Sequence, residues 1–516
     1  MVHLRPNRRD SVIVLAAVVS VFGYMFIAAS MGEAGFPLDD AWIHQVYARN
    51  LAQTGVWAFV PGEPSAGSTS PLYTLLLAVG YWLGIPYLIW TTLMGSMALA
   101  GAGLIAARLG VRLAPWMPGV GLWSGMAVIL AWHMVWAGAS GMETMLFGTL
   151  TLGMMALVWR ELDTANCSAS ALLRRGGLLG LLGAAAMLTR PEGAGLLGLL
   201  GVLMWLARPQ GHWRSTLLWS LGIGLGWLAG FVPYAFFNLN LGGSIFPGTA
   251  SAKQAEYAIL LQRPYLQRIA DLLLPILAGG QVMLLPGAIV MAGTLAQRLR
   301  EDRVAALLLA PLVWALALIG LYAARLPAAY QHGRYVMPAL PHLIIMGVAG
   351  TGLILHRARQ QQMAGRVAGR ALALATVVLY IAFWGIGAQQ FGEDVRIIET
   401  EMVAAARWIA ANIPPEDLLV VHDIGAVGYY APRPILDLAG LVSPEVIPII
   451  RNSEALWTLM QARQARYLMA FPDQVPGGDA SDGRLCPVYS TGSPWAMAAG
   501  GSNMTVYALV WEGDCP

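Results

Sequence analysis

Asp39 and Asp40 stand side by side just beyond the first long apolar segment of a chain in which 11% of residues are charged and 57% are hydrophobic. Charges at a bilayer edge lose hydration, so a carboxylate kept there is a functional candidate. Two carboxyl groups this close repel, which favours one of them holding a proton. Ionisable side chains recur in short motifs further along. Glu143 lies in Ser140-Gly-Met-Glu-Thr144, and Arg190 and Glu192 in Thr189-Arg-Pro-Glu-Gly193. Lys253 ends Phe246-Pro-Gly-Thr-Ala-Ser-Ala-Lys253, and His332, Arg334 and Tyr335 lie in Gln331-His-Gly-Arg-Tyr335. Lys253 is the one lysine among 31 basic residues. Such a set suits a reaction in which a carboxylate takes a proton from a hydroxyl and cations hold a phosphate.

These residues must be positioned by membrane-spanning helices. Mean hydropathy is +0.61, and apolar runs of about 18 to 24 residues recur, each long enough to cross a hydrocarbon core. Spans are expected near 11–31, 86–108, 117–136, 142–160, 175–189, 191–207, 215–237, 281–298, 304–323, 336–356 and 371–388. The first, although preceded by Arg5, Arg8 and Arg9, is longer than the apolar core of a signal peptide and is read as a retained span. One set of alternate loops then carries 17 basic residues and the other 7. By the positive-inside rule the N-terminus is cytoplasmic and the C-terminus extracytoplasmic. Residues 71–84 are short for a span, and counting them would invert every later loop. They are expected to lie at the outer interface beside an amphipathic helix over 40–53 with Trp42, Val46 and Leu51 on its apolar stripe.

The composition changes near residue 392, which divides the chain into a membrane domain (1–391) and an extracytoplasmic domain (392–516). A helix over 394–412, strands at Leu418–His422, Ile435–Leu438 and Arg466–Ala470, and a helix over 454–464 predict a small α/β domain. In an oxidising exterior Cys486 and Cys515 are able to pair, closing a loop of roughly 30 residues and adding about 3–4 kcal/mol. Cys167 falls in a cytoplasmic loop as a free thiol.

The topology returns Asp39, Asp40, His44, Arg49, Glu63, Glu143, Arg190, Glu192, Lys253, His332 and Arg334 to one membrane face. Each has a structural alternative. Asp39 or Asp40 would cap the helix at 40–53, Glu143 and Glu192 would cap spans, and Arg190 and Arg334 would anchor to headgroups. The histidines are more often structural than not, and a single lysine among the arginines is also consistent with accident. Asp423 and Asp437 are equally consistent with turn chemistry.

Taken in order, Asp39-Asp40 after the first span, Pro61-Gly-Glu-Pro and Gly67-Ser-Thr-Ser-Pro71 before an interfacial helix resemble the integral-membrane (GT-C) glycosyltransferases. That group includes protein O-mannosyltransferases, the lipid A aminoarabinose transferase and mycobacterial arabinofuranosyltransferases. The four later motifs look most like the arabinofuranosyltransferase-like branch, over roughly residues 10–345. At Ala66 and Gly248 the chain departs from that branch, which more often has an acid and an asparagine there; the difference bears on substrate rather than on fold. The resemblance implies a sugar donor on a polyprenyl phosphate and a hydroxyl acceptor on a glycan, lipid or protein outside the cytoplasmic membrane, with membrane lipids as surroundings and no nucleic acid. It implies Asp39 as the base, with Asp40 as second choice or orienter. Arg190, Lys253 and Arg334 would hold the lipid phosphate, Arg190 first among them, and Glu143 would position sugar or acceptor. Glu192, His332 and Tyr335 join the substrate-binding set. A divalent metal on the paired carboxylates stays open, since relatives with this pair work without one. Two other classes remain: a transporter or lipid flippase, which would bring internal repeats and mid-membrane breaks, and a non-catalytic envelope-assembly protein.

Overall fold

The computed structural model describes residues 8–163, 167–208, 212–246, 248–360, 363–513 and 515; Arg5 and Pro247, used above, lie outside them. Helix α1 (Arg8–Ser30) leads into two short helices, α2 (Asp40–Thr54) and α3 (Pro71–Trp82). Then follow α4 (Tyr87–Leu113), the pair α5 (Val120–Leu130) and α6 (Trp132–Ala139), α7 (Thr144–Arg160), α8 (Ala169–Thr189), α9 (Glu192–Ala207) and α10 (Trp213–Gly242). Next come α11 (Thr249–Glu256), α12 (Tyr265–Leu277), α13 (Leu285–Arg298), α14 (Ala305–Arg325), a single irregular turn α15 (Tyr330–Gly333), α16 (Leu340–Arg359) and α17 (Met363–Ile398). Each of the eleven expected spans overlies one of these helices. Among the described residues nine are individually long and apolar enough to cross a bilayer; the third span is the α5–α6 pair, bent by 57°, and the sixth is the shorter α9. The protein is a polytopic α-helical membrane protein. Phe26, Leu266, Ile289 and Leu374 point outward, largely exposed, as lipid-facing side chains must.

Small residues set the helix contacts, because apolar burial does not drive association inside lipid. A Cβ on Gly176 or Gly180 of α8 would lie 2.0 or 2.1 Å from the Trp219 or Ile223 carbonyl of α10. Helices α11 and α12 occupy a long connection that the span pattern does not anticipate. Helix α2 is present where expected but is enclosed on nearly every side, Trp42, Val46 and Tyr47 being fully buried. The apolar stripe is therefore only part of what covers it.

Helix α17 does not stop at residue 388. It continues through a π turn (Glu399–Val403) into α18 (Ala404–Asn412), so the compositional boundary at 391/392 falls inside a helix. Beyond it a five-stranded sheet has the order β2-β1-β3-β5-β4. Strands β1 (Leu419–Val421), β2 (Ile435–Asp437) and β3 (Tyr467–Ala470) are parallel, whereas β4 (Leu485–Ser490) and β5 (Thr505–Leu509) form an antiparallel edge. Helices α19 (Gly425–Tyr430), α20 (Ser453–Ala462) and α21 (Pro494–Ala498) complete the domain. One face has its own core of Val420, Leu436, Trp457, Leu468 and Tyr507. Val421, Ile424 and Met469 pack instead into the core continuous with the membrane helices. Cys486 and Cys515 are disulfide-bonded, with Cα atoms 5.6 Å apart; Cys167 is a free thiol.

Glu401 fastens the sheet to the long helix. Fully buried in the π turn, it accepts from the Met504 N–H (2.7 Å), the Asn503 amide (3.0 Å) and the Thr491 hydroxyl. Glu401→Ala strands these donors and is expected to cost about 3 kcal/mol. Denaturant unfolding of the detergent-solubilised protein measures this, and an unchanged midpoint would mean the donors find other partners.

Candidate active site

Helix α2 begins at the aspartate pair, and adjacent positions on a helix diverge by about 100°. Asp40 faces the membrane helices. Its Oδ2 accepts from Lys253 Nζ at 3.1 Å and from the Arg334 guanidinium, while Oδ1 takes no hydrogen bond among the described residues and the side chain stays 26% exposed. Burial alone would push the Asp40 carboxyl up, but Lys253 and Arg334 more than offset it and hold it well below the usual carboxylate range. Tyr335 completes this group: its hydroxyl accepts from Arg334 at 3.2 Å and Lys253 at 3.4 Å.

Arg190 and Glu192 reach the same place by a tight reversal. Pro191 biases the preceding residue to extended backbone, and Arg190 adopts φ −151°, ψ 135° between α8 and α9. Its guanidinium donates to the Arg334 carbonyl (3.5 Å), the Tyr335 carbonyl (3.4 Å) and the Tyr322 hydroxyl, which in turn donates to Glu192. Phe147, Tyr322 and Tyr335 surround it, with ring centroids 5.5 to 5.6 Å from its central carbon. Glu143, at the start of α7, lies 3.4 Å from His44 Nε2. Burial would raise its carboxyl; the His44 bond and the charges of His44 and Arg190 hold it below the ordinary range. His44 Nδ1 continues to the Thr74 hydroxyl at 3.2 Å and through it to Ser68 at 3.0 Å.

Asp40, Glu192, Arg190, Lys253, Arg334 and Tyr335 thus form one connected cluster, with Glu143 tied to it by charge. Asp39 and His332 point elsewhere. Asp39 is turned to the C-terminal domain, where its two oxygens accept the backbone N–H groups of Gly425 (2.6 Å) and Ala426 (2.8 Å) at the start of α19. Burial and the nearby Asp423 push its carboxyl up to about 8, against those two donors. Arg49, further along α2, donates to the Gly428 and Tyr429 carbonyls at the other end of α19. An acid at the N-terminus and a base at the C-terminus of α19 both favour its dipole. His332 pairs with Asp394 of α17 at 2.7 Å, between Trp132 and Trp136. Gln331 and His332 both hold left-handed backbone (φ 53° and 59°), a costly conformation that the Asp394 contact anchors, so the turn presents Arg334 inward.

Arg334 carries the most telling feature. It is 4% exposed, and its Nε and Nη1 have no partner among the described residues. Buried donors left open beside a second cation make a seat for an anionic oxygen. A divalent cation does not fit, because Asp40 already faces two cations and both Asp39 oxygens accept N–H groups. Among the described residues no three metal-ligating side chains converge. Tyr322, Asp394 and the His44 partnership escape sequence reading, since a tyrosine or histidine near the end of an apolar span looks the same whether it bridges charges or merely sits at the interface.

ArnT from Cupriavidus metallidurans bound to undecaprenyl phosphate superposes with a TM-score of 0.60 at 16% identity, over 98% of this chain and 99% of that one. The Archaeoglobus fulgidus oligosaccharyltransferase tethered with an acceptor peptide gives 0.59 at 10% identity, over 95% and 74%. A mutant of arabinofuranosyltransferase AftD from Mycobacteria gives 0.53 at 16% identity, over 97% and 42%. The chain has the GT-C glycosyltransferase fold. A family described as a domain of unknown function (DUF8728) matches residues 381–507, and no curated protein matches the sequence.

The Asp39 contact depends on a residue without a side chain. A Cβ at Gly425 would lie 2.0 Å from the Asp39 carbonyl oxygen and 2.7 Å from Oδ2. Gly425→Ala should therefore push α19 off α2 at a cost of about 2 kcal/mol. Faster limited proteolysis of the C-terminal domain is the expected readout; wild-type protection would show that the contact yields without loss.

Proposed function

We propose that this protein is a membrane glycosyltransferase that moves a sugar from a polyprenyl-phosphate carrier to a hydroxyl acceptor on the extracytoplasmic side. The observation that carries the reading is the open, buried face of Arg334 beside Lys253. The two cations and Asp40 leave one positive charge over, and the phosphodiester of a lipid-linked sugar brings one negative charge. The GT-C fold supports the reading, as does the likeness to ArnT, which was solved with undecaprenyl phosphate. The related Archaeoglobus fulgidus protein was solved with a dolichol-phosphate. The sugar moved is a hexose or a pentose.

In this mechanism Arg334 and Lys253 hold the donor phosphate, with Arg190 fixing the Arg334 backbone and adding charge behind it. The acceptor oxygen bonds to the anomeric carbon as the carbon–oxygen bond to phosphate breaks. The electron pair leaves on the phosphate, whose growing charge the cations stabilise. The acceptor proton passes to a carboxylate. The geometry favours Asp40 over Asp39 for that role, because Oδ1 of Asp40 is open whereas both Asp39 oxygens are engaged by α19. Paired with two cations Asp40 is a weak base; a donor phosphate that draws Lys253 and Arg334 to itself raises its basicity when substrate is present. Glu143 and Glu192 position substrate and Arg190 respectively.

Three measurements test this. Asp40→Asn is expected to lower transfer from a polyprenyl-phosphate sugar by at least about a thousandfold with the fold intact, and retained turnover refutes the base. Arg190→Ala should chiefly weaken donor binding. The pH profile of kcat/KM separates the two aspartates, since it reports groups of the free enzyme. With Asp40 as base the acidic limb lies well below neutrality; with Asp39 as base the rate would climb about tenfold per pH unit until about pH 8.

The same reading places the chain in the cytoplasmic membrane, N-terminus inside, C-terminal domain outside. The arginine-rich helix ends at Arg112, Arg298 and Arg357 on the proposed inner side support it. A cysteine at the exposed Gln461 position (Gln461→Cys) should react with an impermeant maleimide in intact cells, whereas native Cys167 should react only after lysis. The opposite pattern overturns the orientation.

A further inference from the structure

The C-terminal domain meets the membrane helices through the carboxyl ends of its parallel strands. Strand β1 has β2 on one side and β3 on the other, so the chain reverses direction across the sheet there, and the crevice beyond β1 is where open α/β sheets place their functional groups. The residue in that crevice is His422. Its Nε2 lies 3.5 Å from Glu256 Oε1 and its Nδ1 3.7 Å from Asp423 Oδ2. Asp423 is held by the Gln474 amide at 3.0 Å. Asp437 of β2 also faces the imidazole electrostatically. Among the described residues the charged groups that face His422 are acids: Glu256, Asp423 and Asp437.

Glu256 is the last residue of α11, the helix that carries Lys253. Residues 252 and 256 are four apart and share a face. Ala252 is fully buried, and a Cβ on Gly440 of the C-terminal domain would stand 3.7 Å from it. One face of α11 is therefore docked on the C-terminal domain by an apolar contact and an ionic one, while the adjacent residue, Lys253, turns to Asp40.

We infer that the C-terminal domain positions the phosphate-binding lysine through His422. The imidazolium, seated at the end of β1, grips Glu256, fixes α11, and so sets where Lys253 meets Asp40 and the donor phosphate. His422 is a positioning residue that touches no reacting atom, and the inference rests on the transferase reading above. Burial works against the charged imidazole, but Asp423 and Glu256 outweigh it and keep it protonated well above the ordinary histidine range. The grip is complete at neutral pH and is lost as alkali removes that proton.

The test uses full-length protein in detergent and undecaprenyl phosphate without sugar as probe, so that binding is read independently of turnover. His422→Gln and Glu256→Gln should each weaken lipid-phosphate binding about tenfold, and the double variant should be no weaker than either single one. His422→Arg, which keeps the cation, should restore much of the loss. Wild-type affinity should fall at alkaline pH relative to His422→Gln, whose affinity lacks that limb. In transfer assays the donor KM should rise with kcat changed less than about threefold. Wild-type binding and pH profile in both single variants overturn the inference, as do additive losses in the double variant. If the variants lose binding while wild type transfers no sugar, the positioning role stands and the transferase reading falls. If wild type transfers sugar and the variants bind normally, the reverse holds.

Discussion

Asp40 between Lys253 and Arg334 is the interaction on which the rest of the site depends. Removing an ion from water costs several kcal/mol even after relaxation, and a cation beside low-dielectric helices survives only with a partner. Asp40 offsets that cost for two cations with one carboxylate oxygen, which leaves the group electrostatically incomplete. An opposite-charge contact at about 4 Å near a protein surface contributes on the order of 4 kcal/mol. The unfilled balance is thus a standing attraction for an anion. Arg190 is treated differently: Glu192, Tyr322 and two backbone carbonyls satisfy it. It stiffens the Arg334–Tyr335 segment and supplies charge from behind, whereas Arg334 keeps donors free.

Much of this was legible in the residues. Eleven apolar runs of spanning length could only be helices in a membrane, and the arginine distribution arranged their loops so that distant motifs met. The 14-residue run at 71–84 was readable as non-spanning because treating it as a span would have inverted the charge pattern. The parallel strands announced themselves as short apolar runs between turn residues. What stayed hidden depends on tertiary pairing. Strands β4 and β5 escaped because Cys486-Pro487 and a long polar insertion break the hairpin pattern, and α11 and α12 lie in a stretch whose apolar spacing suits no bilayer crossing. Asp39 and Asp40 are indistinguishable as a sequence pair, and only the direction each leaves α2 separates the aspartate facing two cations from the one facing α19. His422 carried no local signal at all, since its partner Glu256 lies in the other half of the molecule.

The C-terminal domain is better viewed as a wall of the site than as an appendage. Its β1 and β2 ends, with the loops through Gly425 and Gly440, approach both α11 and the segment joining α1 to α4. Gly67 of that segment is so close to Val442 that a Cβ there would stand 2.6 Å from it. Tyr47 bonds Ser65 and the Gly67 N–H and so ties that segment to α2. The aromatic rings of Trp42, Tyr87, Tyr429 and Tyr430 pack across the same junction at centroid distances of 4.8 to 5.4 Å. Helix α2 is buried because it is the layer between two domains.

The adjacency of the two aspartates then has a physical meaning. At the first turn of one helix, successive side chains are splayed by about 100°, so a single backbone position serves two surfaces. Asp39 binds the N–H groups at the start of α19 and fixes the C-terminal domain, and Asp40 binds Lys253 of α11 and Arg334 of the turn before α16. The contact of α19 with Asp39 and the contact of Lys253 with Asp40 thus meet at the start of α2. Helix α11 closes the loop from the other direction, since the domain that grips Asp39 also holds the face of α11 next to its lysine contact. The charge cluster is therefore contacted from two sides by one domain, and its geometry is a property of the domain junction rather than of the transmembrane bundle alone.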